Sequence, residues 1–271
     1  MTSELALHAE AALARAGLGG ASLVVRRLPP PGVVAAPGAT GTVLLASIRP
    51  YAPFSPASMI KVPIAAALTA RWAAGTLRPA DRVTVAPANM TANDAPSPLT
   101  PGYEATLDEL ARLMLTRSDN VATNVLVDVL DRERITGYCA SLGLRSTAVR
   151  RKLSGSLPLI DDPGASGRNA HPAGDAADLF AAIALDEVAG SAWLRDVLAG
   201  AEWNGKLNGG LRDGDRFAHK TGDTDEVSND GGILSTAEGA RYVVVVYAPV
   251  ASGDGDDPRF AEVMRELRVH L

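Results

Sequence analysis

Lysine is scarce in this chain, and the few positions that keep it are the first candidates for chemistry. Of the 26 lysines and arginines only four are lysines, namely Lys61, Lys152, Lys206 and Lys220. A lysine buried beside other cations can release its proton, whereas arginine cannot. Lys61 follows Ser58 by three residues, and on a helix this spacing brings hydroxyl and amine to one face. The pair predicts a serine nucleophile with a lysine base, although an SxxK spacing also arises by chance.

Two further motifs contain residue types that acyl transfer uses: SDN at 118–120 and KTG at 220–222. By itself the first is typical of an N-cap loop between helices, and the second is an ordinary turn at the end of a strand. Ser118 follows Ser58 by 60 residues and precedes Lys220 by 102 residues. In this order and with these flanking elements, the three motifs indicate one site rather than three unrelated turns.

The set SxxK, SDN and KTG is the signature of the serine β-lactamase and penicillin-binding-protein superfamily, and the chain most closely resembles class A β-lactamases. The resemblance extends from Ala21 to the C-terminus. By position, it implies that Ser58 is the nucleophile and that Lys61 is its base during acylation. It also implies that Ser118 passes a proton to the leaving nitrogen and that Asn120 contacts a substrate amide.

The same resemblance implies where a substrate is held. Lys220, Thr221 and Gly222 match the residues that bind the substrate carboxylate and keep the local potential positive. The backbone N–H groups of Ser58 and Asp223 match the two donors of an oxyanion hole, which acyl transfer needs at its tetrahedral oxygen. Asp223 contributes only its backbone to that hole, and we expect its carboxylate to disfavour anionic substrates.

One part of the class A pattern is missing. Class A enzymes carry a glutamate in the loop after the SDN helix, where it activates the water that releases the acyl-enzyme. No glutamate occurs between Glu133 and Glu187 in this sequence. Asp161 and Asp162 are the acids of that loop; either could serve, but the Asp-Pro-Gly that follows favours a solvated turn. Asn169 could still order a water.

A second departure lies after KTG. The family often has an arginine there that helps to bind the substrate carboxylate, and residues 223–240 contain none. The acylation set is therefore complete, whereas efficient deacylation does not follow from the sequence.

The elements that must position these motifs come from both ends of the chain. Apolar and Val-rich segments predict strands, and 3.6-residue periodicity predicts helices. The predicted strands are 22–27, 42–48, 215–220, 231–235 and 240–249, and the predicted helices are 4–16, 58–75, 107–117, 121–131, 133–142, 173–186 and 257–270. The Pro-rich stretch 29–38 is expected to be a loop.

These elements predict an α/β fold of the α+β sandwich type. We expect an antiparallel sheet of about five strands, flanked by N- and C-terminal helices, with an inserted all-helical region. Residues 1–54 and 212–271 would form the α/β domain and residues 55–211 the all-α domain, with the active cleft between them. A capping box at Thr106 and Glu109 marks the start of one inserted helix.

Composition excludes several classes of function. The 271 residues are 46% hydrophobic with a net charge of −5, which argues against wholesale disorder and against binding to nucleic acid or an anionic membrane. One cysteine and four scattered histidines give no disulfide and no metal signature, and no apolar run is long enough to span a bilayer. We expect no metal or other cofactor, a small-molecule substrate and a monomer.

The N-terminus has acidic residues at Glu4 and Glu10 and no basic start, so it does not predict a signal peptide. As written, the chain is expected in the cytoplasm, or in the periplasm or outside the cell if a leader has been removed.

Several other polar residues are expected to have structural rather than catalytic roles. Alternation along a strand turns His219 away from Lys220, so it is not expected to be catalytic. The basic cluster at 150–152 is expected to be solvated. The asparagines are expected to build turns with neighbouring glycines; they are Asn204, Asn208 and Asn229.

The leading hypothesis is a class A β-lactamase-like serine hydrolase that works through an acyl-Ser58 intermediate on β-lactams or related amides and esters. An alternative enzyme is a D-amino-acid peptidase or esterase of the penicillin-binding-protein type. An alternative from another class is a catalytically idle binding protein that keeps the site as a receptor.

Overall fold

The computed structural model of the chain describes residues 4–30, 41–251 and 257–271. Within these ranges the α-helices are α1 Glu4–Arg15, α2 Lys61–Ala73, α3 Leu107–Thr116, α4 Asn120–Leu130, α5 Arg132–Ser141, α6 Ala173–Ala184, α7 Ser191–Ala199 and α8 Pro258–Leu267. The strands are β1 Ser22–Arg27, β2 Val43–Ile48, β3 Arg82–Thr84, β4 Glu104–Thr106, β5 Arg216–Asp223, β6 Ser228–Ser235 and β7 Arg241–Ala248. Most of the predicted loop 29–38 lies outside the described residues.

Five strands form one antiparallel sheet in the order β2-β1-β7-β6-β5, so strands from both ends of the chain meet at its centre. The run of valines in β7 is buried on both faces of this sheet. Val243 and Val245 belong to one apolar cluster, whereas Val244 and Val246 belong to the other, as the two-residue period of a strand requires. The predicted sheet and fold class are therefore confirmed.

Helices cover both faces of the sheet. The N-terminal and C-terminal helices α1 and α8 pack against each other on one face and enclose the smaller apolar cluster. Helix α6 packs against β1 and β7 on the other face and joins the larger cluster that fills the inserted helical region. This places β5, the edge strand that carries the KTG motif, beside the turn that contains Ser58.

The inserted region contains more than helices. The short strands β3 and β4 pair with each other in a separate two-stranded sheet, which the sequence does not predict because each strand has only three residues. The predicted capping box is confirmed: the Thr106 hydroxyl accepts from the Glu109 N–H, and the Glu109 carboxylate accepts from the Thr106 N–H.

Strand β6 begins at Ser228, three residues before the predicted start. Its first residues, Ser-Asn-Asp, have low β-propensity, and the pattern alone therefore favours a loop. In the structure they pair with the KTG end of β5 on one side and with β7 on the other. Tertiary pairing thus overrides local preference where the strand supports the candidate site.

Candidate active site

Ser58 lies on a 3-10 turn, Ala57–Ile60, that leads directly into α2. The predicted helix therefore starts with a tighter turn, and Lys61 is the first residue of the α-helix proper. Lys61 Nζ lies 2.9 Å from Ser58 Oγ, as the spacing of three residues predicts. Ala57, immediately before the serine, has a left-handed φ of 47°. Such a conformation costs a non-glycine residue about 1–2 kcal/mol, which the surrounding packing must offset.

Lys61 is fully buried and has four oxygen neighbours. Two are obligate acceptors, the Ser118 carbonyl at 2.6 Å and Asn120 Oδ1 at 2.8 Å. The other two are hydroxyls, Ser58 Oγ at 2.9 Å and Ser118 Oγ at 3.0 Å. An ammonium has only three N–H bonds for these four contacts. A neutral amine donates to the two acceptors and keeps its lone pair for a hydroxyl, which is the arrangement that a base requires.

The surroundings of Lys61 favour its neutral form. Burial lowers the pKa of Lys61 well below its usual range, and the charge of Lys220 lowers it further, while Asp119 and Asp94 act in the opposite direction. A lowered pKa favours the neutral amine, and a neutral amine can accept a proton from a serine.

The SDN motif combines a structural role with a chemical one. Asp119 caps α4, since its Oδ1 accepts from the Ala122 N–H at 2.8 Å. This agrees with the N-cap interpretation of the motif. Ser118 has a left-handed φ of 61°, and its hydroxyl and its carbonyl both contact Lys61. Asn120 is engaged within the protein, because its Nδ2 donates to the Ala92 carbonyl and its Oδ1 accepts from Lys61.

The KTG motif is at the end of β5, against the Ser58 turn. Gly222 is required there by close approach: an added Cβ would lie 2.9 Å from both the Ser58 nitrogen and the Pro56 oxygen. Lys220 is buried, and its Nζ donates to the Thr221 carbonyl at 2.8 Å. Burial lowers the pKa of Lys220 to about 8, although the charge of Asp223 raises it. The fold thus brings the three sequence motifs into one corner.

The loop after α5 uses its polar groups internally. Asp162 is buried and paired with Arg132, and its Oδ2 accepts from the Lys152 N–H at 2.8 Å. The expectation of a solvated acid pair is therefore wrong for Asp162 and right only for the exposed Asp161. Asn169 accepts from two backbone N–H groups at residues 150 and 151, so its Oδ1 is committed to holding the loop.

The expectation that residues 150–152 are solvated is also wrong in part. Lys152 is buried, and its Nζ lies 2.6 Å from Asp128 Oδ2 on α4. Asn124, also on α4, accepts from the Leu153 N–H and donates to the Leu153 carbonyl. Gly155 follows, where an added Cβ would lie 2.0 Å from the Ala92 oxygen. This part of the loop therefore places main-chain atoms, rather than a carboxylate, next to Ala92 and Asn120.

His219 and Asn229 are both buried residues of the sheet with hydrogen-bonded side chains. His219 is stacked on Phe217 in the smaller apolar cluster, facing away from Lys220 as predicted, and its ring nitrogens contact Asp230 and Asn204. Asn229 is in strand β6 and donates to the Ser55 carbonyl at 3.0 Å, so the turn prediction is wrong for this residue. The strand thereby holds the segment that leads to Ser58.

Two charged residues near the site belong to none of the three sequence motifs. Lys206 is fully buried and forms an ion pair with Asp223 at 2.5 Å. The scarcity of lysine pointed to it, but no motif surrounds it. Asp94 is exposed and raises the pKa of both Lys61 and Lys220 by its charge. Only the fold brings its loop to the site. In the described part of the chain, no three potential metal ligands cluster.

The fold and the site together define a protein of the serine β-lactamase type, and comparison with known families agrees. The sequence model described as the beta-lactamase enzyme family matches residues 12–267. The chain therefore belongs to the beta-lactamase enzyme family.

Individual relatives are more distant. A β-lactamase of Rhodobacter capsulatus is 32% identical over 158 residues, which are 58% of this chain and 50% of that protein. The chain thus matches about half the length of this relative. An ancestral class A β-lactamase is 25% identical with a TM-score of 0.80, and the match covers 99% of this chain and 100% of that one.

A mutant of PBP-A, solved as an acyl-enzyme complex with penicillin G, is similar in fold. It is 24% identical with a TM-score of 0.81, and the match covers 98% of this chain and 95% of that one. No helix in the described ranges is long and apolar enough to cross a membrane.

Proposed function

We propose that this chain is a serine hydrolase that forms an acyl-enzyme at Ser58 with β-lactams or related amides and esters, and that it releases the acyl group slowly. The observation that carries the proposal is the buried Lys61 amine, 2.9 Å from Ser58 Oγ and 3.0 Å from Ser118 Oγ. One amine in contact with two hydroxyls can take a proton from the first and supply it to the second. The cleft between the α/β part and the inserted region 55–211 would hold the substrate.

Acylation would proceed in two stages. Lys61 takes the Ser58 proton while Ser58 Oγ bonds to the carbonyl carbon, and the negative oxygen that develops is held by the N–H groups of Ser58 and Asp223. The proton then passes through Ser118 to the leaving nitrogen as its bond to the carbonyl carbon breaks. Lys220 and Thr221 would hold the far end of the substrate, with Gly222 keeping β5 close enough to the serine.

Deacylation lacks a clear base. Among the described residues, the hydrogen bonds of Lys61 go to hydroxyl and amide oxygens and to none of the carboxylates. Asp162 is neutralised by Arg132, and Asp161 faces solvent. A water-activating carboxylate must be aligned closely, since a displacement of about 1 Å can cost roughly 100-fold in rate. The Ser58 ester is therefore expected to persist.

Time-resolved mass spectrometry of the intact protein with penicillin G tests the proposal. We expect a rapid mass increase equal to one penicillin, absent in Ser58→Ala, which then decays over minutes or longer. The absence of any adduct, with no turnover of nitrocefin, would contradict the enzymatic proposal and leave a receptor. Fast nitrocefin turnover would contradict slow deacylation.

A D-amino-acid peptidase or esterase is the second candidate, and one observation favours its esterase form, because a small ester brings no free carboxylate to the site. Asp223 pairs with Lys206 beside the KTG motif, and the segment 223–240 contains no arginine. The site is therefore less cationic than one built to hold the carboxylate of a β-lactam. Hydrolysis of small D-aminoacyl esters faster than of penicillin would support this candidate.

A further inference from the structure

The ion pair between Lys206 and Asp223 lies next to the KTG motif, at the C-terminal end of β5. Lys206 comes from the segment before β5 and is fully buried, while the Asp223 side chain is 24% exposed. Asp223 Oδ1 accepts from Lys206 Nζ at 2.5 Å and from the Ser228 hydroxyl at 3.1 Å. Asp223 Oδ2 has no hydrogen-bond partner among the residues that the structure describes. One carboxylate oxygen is thus occupied, and the other is available to a ligand.

Asp230 fixes the backbone next to Lys206. Asp230 Oδ2 accepts from the Leu207 N–H at 2.9 Å, and its Oδ1 contacts His219 Nδ1 at 2.8 Å. These contacts fix the backbone next to Lys206, whose Nζ also donates to the Asn229 carbonyl and lies over the Phe260 ring. Lys206 therefore has little freedom to move toward a substrate and away from Asp223.

Asp223 shares a strand face with Thr221, because alternate residues of β5 point the same way, about 7 Å apart along the strand. Thr221 and Lys220 are the residues proposed to meet the far end of the substrate. Without Asp223, Lys206 would supply a second cation to this end. With Asp223, the charge of Lys206 is cancelled, and Lys220, whose pKa is about 8, is the remaining cation.

We propose that Asp223 is a specificity-determining residue, which cancels the charge of Lys206 and selects amides or esters that bring an uncharged group, rather than a carboxylate, to the Thr221 end of the site. The inference rests on the proposed acyl-enzyme at Ser58 and names the substrate class for it. Where that group carries an N–H or O–H, Asp223 Oδ2 and the Thr221 hydroxyl would both accept from it. A substrate carboxylate would instead face a carboxylate oxygen at this position.

The test compares acylation by penicillin G with acylation by its methyl ester, which differ only in the charge at this end. In Asp223→Asn the amide keeps the shape of the side chain and frees the charge of Lys206. We expect the ratio of the acylation rate for penicillin G to that for the ester to rise about tenfold. Asp225→Asn is the matched control, because Asp225 is exposed in the same hairpin and the ion pair of Lys206 is with Asp223; its ratio should equal that of the native chain.

The outcomes separate the two levels of the proposal. A ratio that is unchanged in Asp223→Asn, or that rises equally in Asp225→Asn, would overturn the role of Asp223 while leaving the acyl-enzyme intact. A lack of adduct with penicillin G, its ester and a neutral fluorophosphonate would overturn the proposed function itself. A second variant, Lys206→Met, should move the ratio in the opposite direction, because it leaves the Asp223 carboxylate without its cation.

Discussion

The corner around Lys61 and the loop 150–172 each bury a lysine, but they treat its charge in opposite ways. Lys61 has hydroxyl, carbonyl and amide oxygens around it and forms none of its hydrogen bonds to a carboxylate among the described residues. Lys152 is 2.6 Å from the Asp128 carboxylate. A carboxylate partner stabilises the ammonium, whereas hydroxyl and amide partners in a buried site let the proton leave. The difference supports the proposal that Lys61 transfers protons, whereas Lys152 forms a structural ion pair.

The largest effect is expected from Lys61→Met. Loss of the amine removes the base for Ser58, so the rate of acylation by penicillin G should fall by about 1,000-fold. The free energy of unfolding should change little, because the Ser118 carbonyl and Asn120 Oδ1 lose their donor while the cost of burying the amine is removed. A lysine whose pKa is lowered in the folded state binds fewer protons there than in the unfolded chain, and so destabilises the fold below its unfolded pKa. Stopped-flow acylation and urea unfolding measure the two effects, and a marked loss of stability would contradict this account.

Asp162→Asn should affect folding rather than chemistry. It leaves Arg132 partly buried without its partner, which is expected to cost about 3 kcal/mol in the free energy of unfolding. Asp161→Asn is the matched control, because Asp161 is exposed and its loss should change stability very little. If either variant lengthened the lifetime of the acyl-enzyme more than tenfold at a temperature where it is folded, that aspartate would be the missing base.

The pH dependence should report Lys220. Its ammonium attracts an anionic substrate while it is protonated, and this attraction is lost as the pH rises through about 8. Acylation by penicillin G should therefore decline above about pH 8, and Lys220→Arg should move that decline to higher pH. Penicillin G methyl ester should show a weaker decline. An equal decline for both substrates would mean that another group titrates.

The smallest effect should come from Lys152→Met, the counterpart of Lys61→Met. Asp128 is half exposed, so water can solvate the carboxylate that remains, and the expected loss of stability is about 1 kcal/mol. Acylation should change less than threefold. A loss of acylation comparable to that of Lys61→Met would show that the two lysines do not differ in the way the hydrogen bonds indicate.

Much of the fold was predictable because its patterns are local. The valines of β7 predict a strand, and Thr106 with Glu109 predicts a helix start; both predictions are confirmed. The strands β3 and β4 were missed because three-residue strands carry too little pattern. The start of β6 at Ser228 was missed because its residues favour a loop until two neighbouring strands pair with them.

The proposed acylation residues follow from residue types and spacing, since a lysine three residues after a serine can meet it on one turn, and the contact between Lys61 and Ser58 is confirmed. The sequence did not predict which acids and lysines are buried or which residues they pair with. Asp162 was expected in solvent and lies against Arg132, and Asn229 was expected in a turn and lies in β6. Lys206 was noticed as one of four lysines, but its partner Asp223 lies 17 residues away. Such pairings depend on which strands become neighbours.

The order of residues along the chain determined the three motifs, the alternation of the strands and the family to which they belong, because these depend on spacings of a few residues. The tertiary structure decided that Lys61 is surrounded by neutral oxygens, that Asp223 forms an ion pair with Lys206, and that Asp162 of the loop 150–172 forms an ion pair with Arg132. The physical reason is that the charge state of a buried group depends on its neighbours in space, and those neighbours are brought together by the packing of distant segments.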